Sequence, residues 1–158
     1  MIIDHIAVKL FLEEECNLKL FLPCEWNNLK SKFFDSGIYD WRNNPGKSTN
    51  YHHTRFMNRT GINPFNDIKA AIHKGATIDT KQAGFQSRNS SIAKESDILI
   101  AFSWSEGKEP TKGGTYDTWR KCKTRRKIHI SLHDLKNKPN RLFKSMMVPK
   151  KNAIIPGL

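Results

Sequence analysis

The chain has 158 residues, with 27 Lys and Arg against 15 Asp and Glu, a formal net charge of +12. A single domain of this length buries roughly two thirds of its unfolded surface, and the three cysteines, Cys16, Cys24 and Cys122, are odd in number and too scattered for a disulfide framework or a zinc site. No apolar stretch approaches the ~20 residues of a membrane span and no basic leader opens the chain, so a soluble, cytoplasmic protein without a membrane partner, metal or cofactor is expected, whose positive charge attracts phosphates.

Ile2, Ile3, Ile6, Ala7, Leu10 and Phe11 recur at helical spacing until Glu13-Glu14-Glu15, which predicts an opening amphipathic helix. Leu18 to Leu22 reads as a short apolar strand stopped by Pro23. Residues Cys24 to Asn50 mix Asn-Asn pairs, Gly37, Pro45-Gly46 and isolated aromatics, suiting a partly helical excursion that ends in turns. Asn50 to Arg59 reads as a short helix. Asn63-Pro64 then provides an N-cap and a first-turn proline for a helix whose stripe is Phe65, Ile68, Ala71 and Ile72, terminated by Gly75.

Ser87 to Glu95 reads as a further helix. Asp97 to Phe102 is a continuous apolar run of the kind found in buried parallel strands, which predicts a central place in a sheet. A polar turn region follows from Ser103 to Lys112; Gly113-Gly114 leads into a helix over Thr115 to Cys122, and Lys127 to Leu132 supplies another strand. This alternation argues for βαβ units, a parallel sheet and right-handed crossovers. The expected fold is α/β: a Rossmann-like three-layer sandwich with a mostly parallel sheet of about four or five strands, over a domain of residues 1–135 followed by a basic tail, 136–158. The tail's Leu142, Phe143, Met146, Met147, Ile154 and Ile155 suit packing across a sheet edge, or a nucleic-acid arm.

Open parallel sheets bind ligands beyond the carboxyl ends of their strands, where backbone N–H groups at helix starts point outward. Two segments have that character. Ser87, Arg88 and Asn89 stand at a helix start, with an arginine able to grip phosphate bidentately. Gly113, Gly114 and Thr115 form a turn after the apolar strand, where paired glycines let a ligand approach the backbone. Trp104, directly after that strand, is placed to stack on a base or to wall the core. Tyr51 and Arg55 form a basic-aromatic pair four residues apart that suits the same ligand or the core. The neighbouring His52-His53, and His129 with His133, lack carboxylate or cysteine partners at metal-ligand spacing.

The stretch from Phe85 to Ile100 resembles the pattern of DNA-processing protein A and related Rossmann-like domains, and Gly113-Gly114-Thr115 resembles the glycine turn of the LONELY GUY, or lysine-decarboxylase-like, branch; both belong to the SLOG superfamily. The resemblance covers Gly84 to Ile130, is faint upstream and does not extend to the tail. It implies binding of nucleotides or nucleotide-derived signals, with Arg88 and Asn89 on phosphate or ribose and the Gly113-Gly114-Thr115 turn around phosphate. The hydrolase branch places a glutamate three residues after the threonine, where this chain has Thr118, with Asp117 one position earlier. N-glycosidic cleavage passes through a cationic sugar that a carboxylate would stabilise, so the departure favours a binding protein over an enzyme. Family members also usually begin with a strand and a glycine-rich loop, whereas this sequence opens on the helix, which leaves part of the customary pocket missing and a sheet edge for the tail or a second subunit to cover.

Three functions follow as expectations: a sensor, carrier or sequestering protein for a nucleotide-derived small molecule, working as a homodimer; a nucleoside-monophosphate N-glycosidase using Asp117 or Glu109; or a single-stranded nucleic-acid binder that uses the basic C-terminal half.

Overall fold

The computed structural model describes residues 2–35, 44–81 and 84–137. They form a mixed α/β structure of six helices and six short strands. The opening helix is α1, Ile2–Glu13, as predicted, but of its predicted apolar stripe Ile6 and Leu10 are 49% and 52% exposed. Val8 and Phe11 are buried along it. Its last carbonyls are met by a cation from elsewhere in the chain: Lys74 Nζ donates to the carbonyls of Phe11, Leu12 and Glu14 at 2.7, 3.0 and 3.2 Å. This satisfies groups that a helix end leaves open and complements its dipole.

Strand β1, Lys19–Phe21, pairs in parallel with β4, Thr77–Asp79. The latter is a strand not expected from the sequence, because three residues between a helix and a loop carry no periodicity. Cys24 to Asn50, expected as a partly helical excursion, is helical from Pro45 but opens with an unexpected antiparallel hairpin of β2, Glu25–Asn27, and β3, Lys32–Phe34. The turn is held by Lys30 N–H donating to Asn27 Oδ1 at 2.9 Å, and Trp26 packs edge-on against Phe33 with ring centroids 5.2 Å apart. Helix α2 is much longer than the short helix expected, running Pro45–Thr60. Its start is capped both locally and from elsewhere in the chain: Asn44 Oδ1 accepts from Lys47 N–H at 3.1 Å beside the first-turn Pro45, and the Asp35 carboxylate accepts from the N–H groups of Gly46, at 2.7 Å, and Lys47, at 3.2 Å. A Cβ at Gly46 would stand 2.7 Å from that carboxylate, so only glycine admits it.

Helix α3, Pro64–Lys74, starts and stops where the sequence predicts. Asn63 Oδ1 accepts from the N–H groups of Phe65 and Asn66, and Gly75 closes the helix at φ 111°. Helix α4 covers Phe85–Glu95, β5 Leu99–Ser103, α5 Gly113–Lys121, β6 Lys127–Ser131 and α6 Leu132–Asn137. The β5–α5–β6 unit is the expected parallel crossover, with Leu99 opposite Lys127 and Ser103 opposite Ser131.

The alternation predicts a single sheet of about four or five strands, which the described residues do not join into. Among the described residues the strands form three separate pairs, β1 with β4, β2 with β3 and β5 with β6. Strand β5 therefore has one strand neighbour rather than a central place. One face of this ribbon is covered: Leu99 packs with Ala93, Cys122 and Trp119. On the other, Ile100 is 52% exposed and Ile98 and Ile128 are each 43% exposed. The larger core joins α1, β1, β3 and α3 through Val8, Phe11, Leu22, Phe33, Phe65 and Ile68. The expected tail packing concerns residues 138–158, outside the described residues.

Candidate functional site

At the carboxyl end of β5 the chain enters a loop stitched by its own side chains. The Ser103 hydroxyl oxygen accepts from Ser105 N–H at 3.1 Å and lies 2.9 Å from His129 Nε2. His129 Nδ1 lies 3.0 Å from the Gly107 carbonyl. A carbonyl can only accept, so Nδ1 carries the proton, Nε2 is the acceptor, and the Ser103 hydroxyl donates to it. Ser105 Oγ accepts from Thr111 N–H at 3.0 Å, closing the loop, and Pro110 is fully buried beneath it.

This loop delivers Gly113 at φ 80°, a left-handed conformation that favours glycine, as the first residue of α5. The N-cap position is Lys112, which makes no side-chain capping bond. The first-turn N–H groups thus end in a positive dipole with a cationic side chain beside them, the electrostatics that attract an anion. The turn is pinned to the strand by Thr115, whose hydroxyl donates to Phe102 O at 3.4 Å. At the matching end of β6, Ser131 is 4% exposed and its hydroxyl has no hydrogen-bond partner. That orphan group was not a sequence candidate, because nothing in the sequence distinguishes it from a strand-terminal serine.

The structure brings together one residue from each of the two sequence segments expected to form the site. Asn89, 5% exposed on α4, donates its side-chain amide to the Gly114 carbonyl at 3.2 Å, and Thr118 Oγ1 donates to the same oxygen at 3.0 Å. Asn89 is therefore a clamp between α4 and α5, and Thr118, which stands where the resemblance expects a glutamate, closes a turn of α5. Arg88 goes elsewhere. Its guanidinium lies over the Phe85 ring, 5.8 Å from the centroid, and its side chain lines an apolar cavity against β1. Ser87 is exposed on the first turn of α4.

Trp104 is 60% exposed beyond β5 and meets His133 edge-on at 5.3 Å, so it is available for stacking and is not a core residue. Tyr51 and Arg55 pair with each other, Arg55 Nη1 donating to Tyr51 Oη at 3.3 Å. They stand on the outer face of α2. Thr49 and His53, about 200° round the helix, are the residues that face the cavity lined by Arg88. Asp117 is engaged by Lys121, one turn on, at 2.8 Å. Glu109 is exposed in the loop before Pro110.

No family model matches the chain, and no solved structure matches it. The sequence is similar to an uncharacterized protein of Acanthamoeba polyphaga mimivirus, at 39% identity over 130 residues, covering 82% of this chain and 65% of that protein. The chain thus matches just under two thirds of the length of this viral relative.

Proposed function

We propose that the protein binds a phosphate-bearing small molecule of the nucleotide class, as a sensor, carrier or sequestering protein, with the phosphate against the amino end of α5. The observation that carries this reading is the convergence of two sequence-distant segments on one turn, through the Asn89 amide and the Gly114 carbonyl at 3.2 Å. At that turn are first-turn N–H groups with no side-chain cap and the Lys112 side chain, while Trp104 beyond β5 offers an exposed ring for a base. A positive charge excess supports the same class of ligand.

This reading goes with the SLOG resemblance and with a Rossmann-like sheet in which the two parallel pairs are parts of a larger whole. The pairing of Asp117 with Lys121 favours binding over N-glycosidic cleavage, since a carboxylate already neutralised by an ammonium is a poorer stabiliser of a developing sugar cation.

Isothermal titration with AMP and with inorganic phosphate tests the proposal. Micromolar binding of AMP that weakens at least tenfold in Gly113→Val and several-fold in Lys112→Ala supports it. Absence of binding, or binding indifferent to both substitutions, overturns it.

A further inference from the structure

A second site is built into the other half of the molecule. A cavity of about 310 Å³ lies along β1, where the strand and its flanking residues, Leu18 to Leu22, all line it. Neighbouring side chains of a strand point to opposite faces, so a cavity reached by all of them runs along the strand's edge. That edge has no strand partner, since among the described residues β1 pairs with β4 alone. Four helices wall the space: α1 supplies His5 and Val8, α2 supplies Thr49 and His53, α3 supplies Ile68, and α4 supplies Arg88 and Ile92.

The polar groups in this lining are few and sharply placed. Thr49 is 3% exposed and its Oγ1 has no hydrogen-bond partner; His5 is 7% exposed and its Nδ1 has none. Both lie on the α1 and α2 walls. The α4 wall carries Arg88, and β1 adds Lys19. Buried polar atoms without partners cost free energy that a bound molecule can recover, and a largely apolar cavity with a few convergent polar groups is the usual form of a small-molecule site. A dry apolar cavity of 150 Å³ accepts benzene, so about twice that volume holds a ring with a short side chain, on the order of ten to twelve heavy atoms.

We propose that this cavity binds a small aromatic carboxylic acid bearing a hydroxyl at its far end, with the carboxylate on Arg88 and the hydroxyl between Thr49 and His5. The site is independent of the α5 turn. Adjacent residues of α4 serve the two: Arg88 faces the cavity, while Asn89 faces Gly114.

The test is calorimetric titration of the full chain with phenylpropanoate, its para-hydroxy analogue and the neutral phenylpropanol, each repeated with excess AMP. The hydroxy acid should bind about fivefold more tightly than phenylpropanoate, as one added buried hydrogen bond implies, and at least tenfold more tightly than the alcohol. Thr49→Val should remove the first difference and Arg88→Met the second, while Ile92→Trp, which fills the cavity, should abolish binding of all three. AMP should displace none of them. Should Ile92→Trp not fold, Arg88→Met and Thr49→Val decide the matter. No binding of any probe, equal affinity for acid and alcohol, a Thr49→Val variant that keeps the hydroxyl preference, or displacement by AMP overturns the proposal. None of these outcomes bears on whether AMP itself binds at α5.

Discussion

Asn89 on α4 and Gly114 on α5 are locked at 3.2 Å by a single amide-to-carbonyl hydrogen bond, and the same asparagine stands 3.2 Å from where a Cβ on Gly114 would be. The glycine is thus needed less for its own conformation than for the space its neighbour occupies. The two residues should be energetically coupled, which gives the first prediction. Asn89→Ala should cost about 1 kcal/mol, since the Gly114 carbonyl keeps its bond from Thr118 and is not orphaned. Gly114→Ala should destabilise the parent protein by pressing on the asparagine. In the Asn89→Ala background the same change should be neutral or stabilising, because alanine favours a helix over glycine by up to about 1 kcal/mol. Urea denaturation of the four proteins in the cycle measures this coupling; additive effects would show that the two residues do not press on each other.

Gly113 is a different case, since a Cβ there would meet nothing within 4 Å, yet φ is 80°. The cost of Gly113→Ala is therefore one of backbone conformation alone, about 1–2 kcal/mol. Gly113→Asn should cost less than Gly113→Ala, because asparagine tolerates the left-handed region. Equal losses for the two variants, read from denaturation midpoints, would contradict a purely conformational cause.

Acid should weaken the fold through His5. Its pKa is lowered, chiefly by burial, with Lys9 adding to the depression and Asp67, whose Oδ2 lies 3.0 Å from Nε2, partly opposing it. The folded state then binds the proton less readily than the unfolded chain. The stability this gives is fully present above the unfolded value of about 6.5 and is lost as pH falls below it, toward the lowered folded value. His5→Gln should flatten the loss of melting temperature below pH 6.5, and Asp67→Asn should deepen the His5 depression. An unchanged acid limb in His5→Gln would exclude His5 as its source.

The three thiols should separate cleanly by reactivity. Cys16 is exposed, whereas Cys24 and Cys122 are buried. Burial, reinforced by the Asp35 carboxylate, pushes the Cys24 thiol up to about 12, so its thiolate is scarce at neutral pH. Reaction with a chromogenic disulfide reagent should consume one thiol rapidly in the native protein and three after denaturation. Fast reaction of two or more native thiols would contradict this burial.

The legible parts of the fold were those whose signal is local. Asn63-Pro64 and Gly75 bracket α3 because capping and left-handed termination act within one turn. The same holds for the existence of α1, though not for the face it buries, and for the run that becomes β5. Of the site, the glycine turn and the start of α4 were marked out by residue type alone.

What the sequence by itself determined about this protein is helices α1, α3, α4 and α5, the β5–α5–β6 unit and which two segments are candidates for a phosphate, all consequences of spacing and of a few conformationally special residues. Tertiary structure added the Asp35 carboxylate to the start of α2, where Asn44 and Pro45 already supply a local cap and a first-turn proline. It also decided that the adjacent residues Arg88 and Asn89 face different sites and that Tyr51 and Arg55 turn away from the cavity. Side-chain direction depends on which faces of a helix find partners, and those partners lie tens of residues away, where no local pattern records them.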